Sequence, residues 1–368
     1  MGSKRGTGTL ADGHYSANPS SLHSTPHVTM HHRPICSPMK TPHFVQLHHP
    51  KEESVRQELL QGLTAHPQTG GACIAPKFFY DALGSRLFEA ITELPEYYPT
   101  RTEAAIFRTH QAAMTQSVPP HATLIDLGAG NCAKAASLFA ALKPRRYVAV
   151  DISVDYLRDA LDQLQRRHPA LEMVGVGQDF SHTLALPDAV GAADVGPRVL
   201  FYPGSSIGNF TPTQALVFLR QVHAACAAVP GSGLLIGVDL VKDAAELEAA
   251  YDDALGVTAA FNRNLLSHVN RLCGSNFALA DWGHLARYNS ALSRIEMHLQ
   301  ARRAVQVQWP GGGRSFAQGE CLHSENSYKW TVATFCALLR EAGFSAPMVW
   351  TDADTPAQGR FAVLWAGI

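Results

Sequence analysis

The chain has 368 residues, long enough for a large hydrophobic core, and its apolar fraction of 46% is ordinary for a globular protein. Its 30 Lys and Arg residues nearly balance its 31 Asp and Glu residues, so the charge indicates neither a nucleic-acid partner nor an anionic membrane surface. No uninterrupted run of about 18 apolar residues occurs and the N-terminus has no apolar signal core, so we expect no membrane-spanning helix.

The first 50 residues differ in composition from the rest of the chain. They are rich in Ser, Thr, Pro and His and contain eight of the 18 histidines. Metal binding is one interpretation, but these histidines show no fixed ligand spacing and no supporting cysteine or carboxylate cluster. We therefore expect residues 1–50 to form a disordered extension, and we predict no metal site.

The segment that follows is predicted to be mainly helical. Apolar residues recur at helical spacing from residue 80 to 88. Pro95 and Pro99 restrict their own backbone and that of the preceding residue, and so predict a rigid break. Thr100-Arg-Thr-Glu103 then has the pattern of a helix start.

Short apolar strands alternate with helices in the next part of the chain. The predicted strands lie at 123–127, 147–150, 172–176, 198–202 and 234–240. A helix is predicted to begin near Ala133, after the first strand. This alternation implies an α/β fold with a parallel, doubly wound sheet.

The alternation stops near residue 242. The later predicted elements are helical stretches around 251–253 and 261–264, a strand at 294–302, a helix at 331–342, and strands at 348–351 and 361–365. The last two strands would complete the sheet. We therefore predict a sheet domain of residues 105–241 and 331–368, and a substrate-binding lobe of residues 51–104 and 242–330.

A glycine turn follows the first strand directly, with the sequence Leu-Gly-Ala-Gly at 127–130. Glycine has no Cβ, so this turn lets the backbone approach a ligand closely. Asp151 is placed at the end of the next strand, where a carboxylate can accept hydrogen bonds from both hydroxyls of a ribose. Asp179 and Phe180 end the third strand and are placed near an adenine.

Both a dinucleotide and S-adenosylmethionine contain the nucleoside that such a site binds. The residues after the turn are Asn131-Cys-Ala-Lys134, so the third glycine of a pyrophosphate-binding turn is missing. Asp126, just before the turn, suits an ammonium group better than a phosphate. S-adenosylmethionine carries an ammonium and no phosphate, and we predict it as the cofactor.

A second polar turn, Gly-Ser-Ser-Ile-Gly-Asn at 204–209, follows the fourth strand. The carboxyl ends of parallel strands share one edge of a sheet, where ligands bind. We therefore expect this turn to lie beside the reactive end of the cofactor.

Long stretches of the chain resemble the histidine Nα-methyltransferases of ergothioneine biosynthesis. The blocks that carry the resemblance are 76–88, 91–103, 204–209, 239–243, 251–264, 294–297 and 325–329. The resemblance extends from about residue 55 to the C-terminus. It implies a class I S-adenosylmethionine-dependent methyltransferase fold with a separate substrate lobe, and a trimethylated product, the betaine of histidine (hercynine).

The resemblance also implies site residues. Together with the glycine turn, it indicates a cofactor site lined by Gly128, Gly130, Lys134, Asp151, Asp179 and Phe180. The substrate pocket it implies is lined by Tyr80, Tyr97, Gly204, Asn209, Tyr251, Met297, Glu325 and Ser327. Tyr97 is expected to orient the amine or relay its proton and Tyr80 to shape the methyl-bearing end, so these two are the predicted catalytic residues.

The chemistry of these positions agrees with an amino-acid substrate. Asn209 and Tyr251 can donate hydrogen bonds to a carboxylate. Glu325 and Ser327 offer a carboxylate and a hydroxyl to the two nitrogens of an imidazole. Ser327 also fits a loop serine, and Lys329 also fits a surface charge.

Three alternatives remain open at this point. They are a related methyltransferase acting on another amino acid or on the imidazole of a thiohistidine, a non-catalytic binding protein with this fold, and a NAD-dependent oxidoreductase. Met297 and Glu325 favour histidine, because an apolar residue at position 325 would favour tryptophan. The seven cysteines are dispersed without a Cys-x-x-Cys pair, which is typical of reduced thiols, and we expect a cytoplasmic monomer whose partner is L-histidine, without nucleic acid or membrane.

Overall fold

The computed structural model describes residues 2, 40–47, 52–66, 71–181, 183–186 and 196–368. Most of the predicted N-terminal extension therefore lies outside the described residues. Pro38–Ile368 form one compact unit. No helix in the described part of the chain is long and apolar enough to cross a bilayer.

The structure contains both strands and helices along most of its length. The strands are β1 (His43–Gln46), β2 (Thr123–Leu127), β3 (Arg146–Asp151), β4 (Glu172–Gly177), β5 (Arg198–Tyr202), β6 (Gly233–Asp239), β7 (Trp282–Asn289), β8 (Arg294–Ala301), β9 (Val305–Trp309), β10 (Gly312–Phe316), β11 (Cys321–Tyr328), β12 (Met348–Thr351) and β13 (Phe361–Gly367). The α-helices are α1 (Glu52–Thr64), α2 (Ala82–Thr92), α3 (Tyr98–Thr109), α4 (Gln111–Ser117), α5 (Ala133–Leu142), α6 (Val154–Arg167), α7 (Pro212–Ala227), α8 (Ala244–Ala249), α9 (Val257–Cys273) and α10 (Val332–Glu341). Short 3₁₀ helices occupy Pro76–Phe79, Ser206–Asn209, Leu279–Asp281 and Pro356–Gln358.

The main sheet has eight strands in the order β1-β4-β3-β2-β5-β6-β13-β12. The neighbouring strands β4, β3, β2, β5 and β6 pair in parallel, as predicted, and β1 adds a further parallel strand beside β4. The prediction of a parallel sheet is wrong at β13, which pairs antiparallel with both β6 and β12. The reason is the short connection between β12 and β13, since a parallel neighbour would need a longer crossover.

Helices cover both faces of this sheet, so the fold is doubly wound. Side chains of α7 and α10 pack with one set of alternating strand residues, which includes Ile125 and Val148. Side chains of α3 to α6 pack with the other set, which includes Leu124 and Tyr147. The two-residue period of a strand assigns neighbouring residues to opposite faces, and both faces are apolar because both are covered.

Strand β1 corrects the predicted boundary of the N-terminal extension. It lies inside residues 1–50 and pairs in parallel with β4 at the edge of the sheet. Phe44 packs where β4 has a glycine: a Cβ placed on Gly175 would come within 2.3 Å of the Phe44 ring. The sequence did not predict β1, because the strand has only two apolar residues, Phe44 and Val45, and the residues around it are polar.

The second group of elements surrounds a three-stranded antiparallel sheet with the order β11-β8-β7. Buried residues of α1 and α9 and of β7, β8 and β11 belong to one hydrophobic cluster, against which Leu87 and Phe88 of α2 pack. We keep the division into a sheet domain and a substrate lobe as a proposal, which this separate cluster supports.

The predicted helical stretch around residues 251–253 is wrong. These residues form the turn between α8 and α9. Gly256 has a φ of +74°, which ends any continuous helix there, and the carboxylate of Asp253 accepts hydrogen bonds from the backbone N–H groups of Val257 and Thr258. Asp253 therefore caps the start of α9 from outside the helix.

Candidate active site

One pocket lies beside the carboxyl ends of β5 and β6, where parallel strands present their loops. All eight residues predicted for the substrate pocket line it: Tyr80, Tyr97, Gly204, Asn209, Tyr251, Met297, Glu325 and Ser327. The other lining residues are Phe88, Ile91, Ser205, Ser206, Ala250, Thr258 and Phe261. Segments that are far apart in the sequence thus meet around one space.

The turn after β5 forms one wall of this pocket. Gly204 and Ser205 both have left-handed backbone angles, with φ values of +74° and +59°, and the turn then enters the short helix Ser206–Asn209. The Gly204 N–H donates to Glu103 Oε1 at 2.8 Å. The positive φ favours glycine at position 204, and a Cβ there would lie 2.6 Å from Lys134 Nζ, so a larger residue would displace the lysine ammonium.

Aromatic rings also line the pocket. Tyr97 meets Tyr251 edge to face at a centroid distance of 6.2 Å, and Tyr80 meets Phe88 in the same way at 5.9 Å. Burial raises the pKa of both Tyr80 and Tyr97 well above its ordinary value, and nearby Glu325 adds to the shift. Both phenols therefore keep their protons at neutral pH and can orient a substrate amine, but they do not act there as phenolate bases.

Glu325 is a buried carboxylate on the pocket wall. A β-bulge in β11 between His323 and Glu325 brings Glu325 opposite Met297 of β8, and the side chain of Ser324 donates to the Met297 carbonyl at 3.0 Å. Burial raises the pKa of Glu325 to about 7, and the charge of Lys329 opposes the rise. Because side chains two residues apart on a strand share a face, Ser327 lies on the same wall.

Lys329 is buried, although the sequence was also compatible with a charge on the surface. Its side chain is 0% exposed, and its Nζ lies 2.8 Å from Asp239 Oδ2. It also donates to Ser327 Oγ at 2.8 Å and to Tyr251 Oη at 3.1 Å. The sequence analysis missed Asp239 and Lys329 as parts of the site, although both lie in blocks that carry the resemblance.

The glycine turn after β2 and the end of β3 lie against each other, as predicted. Gly128 and Gly130 have φ values of +73° and +53°, and the Gly130 N–H donates to Asp151 Oδ2 at 2.9 Å. The other oxygen of Asp151 accepts from the Ser153 N–H at 2.8 Å. A Cβ on Gly130 would meet no atom within 4 Å, so this turn borders open space beside a fixed carboxylate.

The remaining predicted cofactor residues also lie near this turn. Phe180 Cζ would be 3.8 Å from a Cβ on Gly128. Asp179 forms an ion pair with Lys77 at 3.0 Å, and hydrogen bonds from Ser181 together with Lys77 hold its pKa below the usual range in spite of its burial. Lys77 is a residue that the sequence analysis missed.

Lys134 is held by a buried carboxylate. Its Nζ lies 2.8 Å from Glu103 Oε2, and the Glu103 side chain is 1% exposed. The other oxygen of Glu103 accepts from Gly204, so this one carboxylate joins a predicted cofactor residue to a predicted substrate residue. The feature of the sequence that could have identified Glu103 as a site residue is its position at the end of the block 91–103, which carries the resemblance.

Asp126 does not occupy the position that its sequence context suggested. It is 1% exposed, and its Oδ2 accepts from the hydroxyl of Tyr147 at 2.8 Å within the core of the sheet. Burial raises its pKa to about 7. The interpretation of Asp126 as a partner for an ammonium group therefore finds no support in its contacts.

Comparison with known proteins identifies the family. A model of the S-adenosylmethionine-dependent, histidine-specific methyltransferases matches residues 55–366. The histidine N-alpha-methyltransferase of Mycolicibacterium smegmatis is 41% identical over 307 residues, 82% of this chain and 92% of that protein. The protein of the same name from Mycobacterium tuberculosis is 39% identical, over 81% of this chain and 91% of that protein. Ergothioneine biosynthesis protein 1 of Neurospora crassa is 32% identical over 77% of this chain, a region that makes up 32% of the fungal protein. This chain belongs to the family of S-adenosylmethionine-dependent, histidine-specific methyltransferases.

Proposed function

We propose that this chain transfers methyl groups from S-adenosylmethionine to the α-amino group of L-histidine, three times in succession. The product is hercynine, and the reaction is the first step of ergothioneine biosynthesis. Family membership supports the reaction class, and the relatives named histidine N-alpha-methyltransferase support the substrate and the nitrogen that is methylated.

The residues around the glycine turn fit the cofactor. The carboxylate of Asp151 stands beside the open space at Gly130, where it can accept from two ribose hydroxyls. Phe180 offers an apolar surface for the adenine, and Asp179 is a fixed acceptor at the same end. When bound, S-adenosylmethionine supplies a methyl group activated by a sulfonium.

The observation that carries the histidine assignment is the buried Glu325 on the pocket wall. An ionised carboxylate in an apolar site is costly unless a substrate group donates to it. An imidazole N–H supplies that donor, whereas an apolar side chain of similar size would leave the carboxylate unpaired. The pocket therefore favours histidine by penalising its competitors.

Methyl transfer at this site is mainly a matter of position. Asn209 and Tyr251 are placed to hold the amino-acid head group, and the hydroxyl of Tyr97 to accept an N–H of the amine. The amine then presents its lone pair along the line of the sulfur–methyl bond, which is the geometry that direct displacement requires. The rings of Tyr80 and Tyr97 also offer negative faces to the positive charge that grows with each methyl group.

Mass spectrometry tests this proposal. Purified protein is incubated with S-adenosylmethionine and each proteinogenic amino acid in turn. We expect histidine to gain the mass of three methylene units and the others to gain none. Absence of a histidine product at saturating cofactor would contradict the proposal.

A variant tests the role of Glu325. We expect Glu325→Ala to lower the preference for histidine over other amino acids by roughly tenfold or more, because it removes the acceptor of the imidazole N–H. Binding of S-adenosylmethionine, measured by calorimetry, should change little. Equal losses for both ligands would show that Glu325 serves only the structure.

We also propose that the protein acts as a cytoplasmic monomer. The described cysteines, Cys73, Cys132, Cys226, Cys273, Cys321 and Cys336, are free thiols, as a reducing compartment would keep them. Light scattering coupled to size-exclusion chromatography should give the mass of a single chain.

A further inference from the structure

Lys329 carries a buried positive charge behind the substrate pocket. Asp239 neutralises it, with Nζ 2.8 Å from Oδ2 and both side chains at most 1% exposed. Burial alone would lower the pKa of Lys329, but the charges of Asp239 and Tyr251 and the hydrogen bonds to both together raise the pKa, so the ammonium keeps all three protons. The ion pair with Asp239 uses only one of the three N–H groups of Lys329.

The other two N–H groups of Lys329 reach two pocket hydroxyls. Ser327 Oγ accepts at 2.8 Å and Tyr251 Oη at 3.1 Å. The two hydroxyl oxygens are themselves 2.7 Å apart, so one of them donates to the other. An ammonium has three donors and no acceptor, and all three are used here.

A count of protons shows what this pair can offer to a ligand. The two hydroxyls have two protons, and one proton is used between them. The hydroxyl that accepts from its neighbour and from Lys329 has filled both lone pairs, so its own proton is free. Whichever way the shared bond runs, the pair presents a single O–H donor from that hydroxyl.

We propose that Lys329 is a positioning residue that makes Tyr251 and Ser327 act as one hydrogen-bond donor toward an accepting atom of the substrate. The accepting atom is a carboxylate oxygen or the imidazole nitrogen that carries no hydrogen. The proposal rests on the proposed function and refines it, because Tyr251 and Ser327 then do not donate to two substrate groups at once. It also explains the burial of a charge that the reaction itself does not use.

The chain offers a matched control in Lys242. Lys242 is nearly buried and binds the other oxygen of the same carboxylate, with Nζ 2.6 Å from Asp239 Oδ1. It donates as well to Tyr98 Oη at 2.7 Å and to the Leu240 carbonyl. Lys242→Met therefore disturbs Asp239 as Lys329→Met does, but it leaves the contacts of Tyr251 and Ser327 in place.

The experiment measures the affinity of the full chain for L-histidine by calorimetry, with S-adenosylhomocysteine bound so that no turnover occurs. We expect Lys329→Met to weaken histidine roughly tenfold to a hundredfold, and Lys242→Met to change it by less than about threefold. S-adenosylhomocysteine itself should bind each variant like the wild type. Equal effects of the two variants on histidine would overturn the proposal.

A second pair of variants tests the shared donor even if Lys329→Met does not fold. Tyr251→Phe and Ser327→Ala each leave one hydroxyl with a free proton, whereas the double variant leaves none. We expect the loss of histidine affinity in the double variant to exceed the product of the single losses by about tenfold. Losses that simply multiply would contradict the proposal.

Histamine, which lacks the carboxylate, separates the two accepting atoms. If Lys329→Met weakens histidine but not histamine, the acceptor is the carboxylate; if it weakens both alike, the acceptor is the imidazole. A wild-type protein that binds no histidine at all would contradict the proposed function instead, so the two failures are distinguishable.

Discussion

At the scale of single residues, the site places charge where it costs stability. Glu325 is 7% exposed, and its pKa near 7 shows that the folded protein disfavours its ionised form. The charge of Lys329 offsets part of this cost. In the proposed function, the imidazole of the substrate supplies the hydrogen-bond partner of the carboxylate. Under the proposed function, recognition of histidine by Glu325 is thus obtained at the expense of the free energy of folding.

The pH dependence of stability follows from this shift. The folded pKa of Glu325 lies above its unfolded value of 4.5, so its stabilising effect is complete below pH 4.5 and is lost as pH rises through about 7. We expect Glu325→Gln to raise the free energy of unfolding at about pH 8 by up to about 3 kcal/mol, and the gain to shrink toward pH 5. Urea denaturation at both pH values measures it.

The control for this prediction is the same change at an exposed glutamate, Glu93→Gln. Because Glu93 is exposed, its substitution should change the free energy of unfolding by the same small amount at both pH values. A gain at Glu325 that does not depend on pH would mean that the amide improves packing and that the charge is not the cause.

At the scale of elements, helix α3 joins the two halves of the site. Its Glu103 accepts from Lys134 of α5 through one oxygen and from the Gly204 turn after β5 through the other. Glycine at 237 in β6 makes room for this carboxylate, since a Cβ there would lie 2.0 Å from Glu103 Oε1. One buried side chain therefore links the predicted cofactor residue Lys134 to the predicted substrate residue Gly204.

We expect Glu103→Gln to weaken the binding of both S-adenosylmethionine and histidine, each by about tenfold. An amide has one accepting oxygen, so at least one of the two hydrogen bonds is lost and an N–H group faces a donor. Calorimetry with each ligand measures the effect. The matched change Glu172→Gln, at the half-exposed ion pair with Arg146, should alter neither affinity.

At the scale of the whole molecule, β1 extends the sheet beyond β4. Phe44 covers the surface left free by Gly175 and carries the Arg158 guanidinium over its ring at 3.9 Å. The strand thus shields the edge of β4, where unpaired backbone groups would otherwise be open to another chain.

We expect Phe44→Ala to lower the free energy of unfolding by about 1–2 kcal/mol, less than a fully buried phenylalanine would, because the ring is only partly covered. Chemical denaturation measures the change. His43→Ala, at an exposed position of the same strand, should have little effect. No difference between the two variants would show that β1 adds nothing to the stability of the sheet.

Much of the fold follows from local patterns, as individual elements show. The strands predicted at 123–127, 198–202 and 348–351 coincide with β2, β5 and β12. They were predictable because a short apolar run that is bounded by turn-forming or polar residues indicates a strand buried in a sheet. β1 was not predicted, and β13 was predicted as a strand at 361–365 without its antiparallel pairing, since these pairings depend on partners distant in the sequence.

By itself, the sequence determined the doubly wound α/β architecture, the glycine turns and the resemblance to histidine methyltransferases, and family membership confirms the fold class, the cofactor and the reaction class. These properties depend on short runs of neighbouring residues, which can be recognised without the tertiary structure. The burial of Lys329 was decided only by the tertiary structure, because lysine is ordinarily exposed and its partners Tyr251 and Asp239 lie far away in the chain. The bridge from Glu103 to Lys134 and Gly204 was decided in the same way, since three separate segments meet there only after the sheet has assembled.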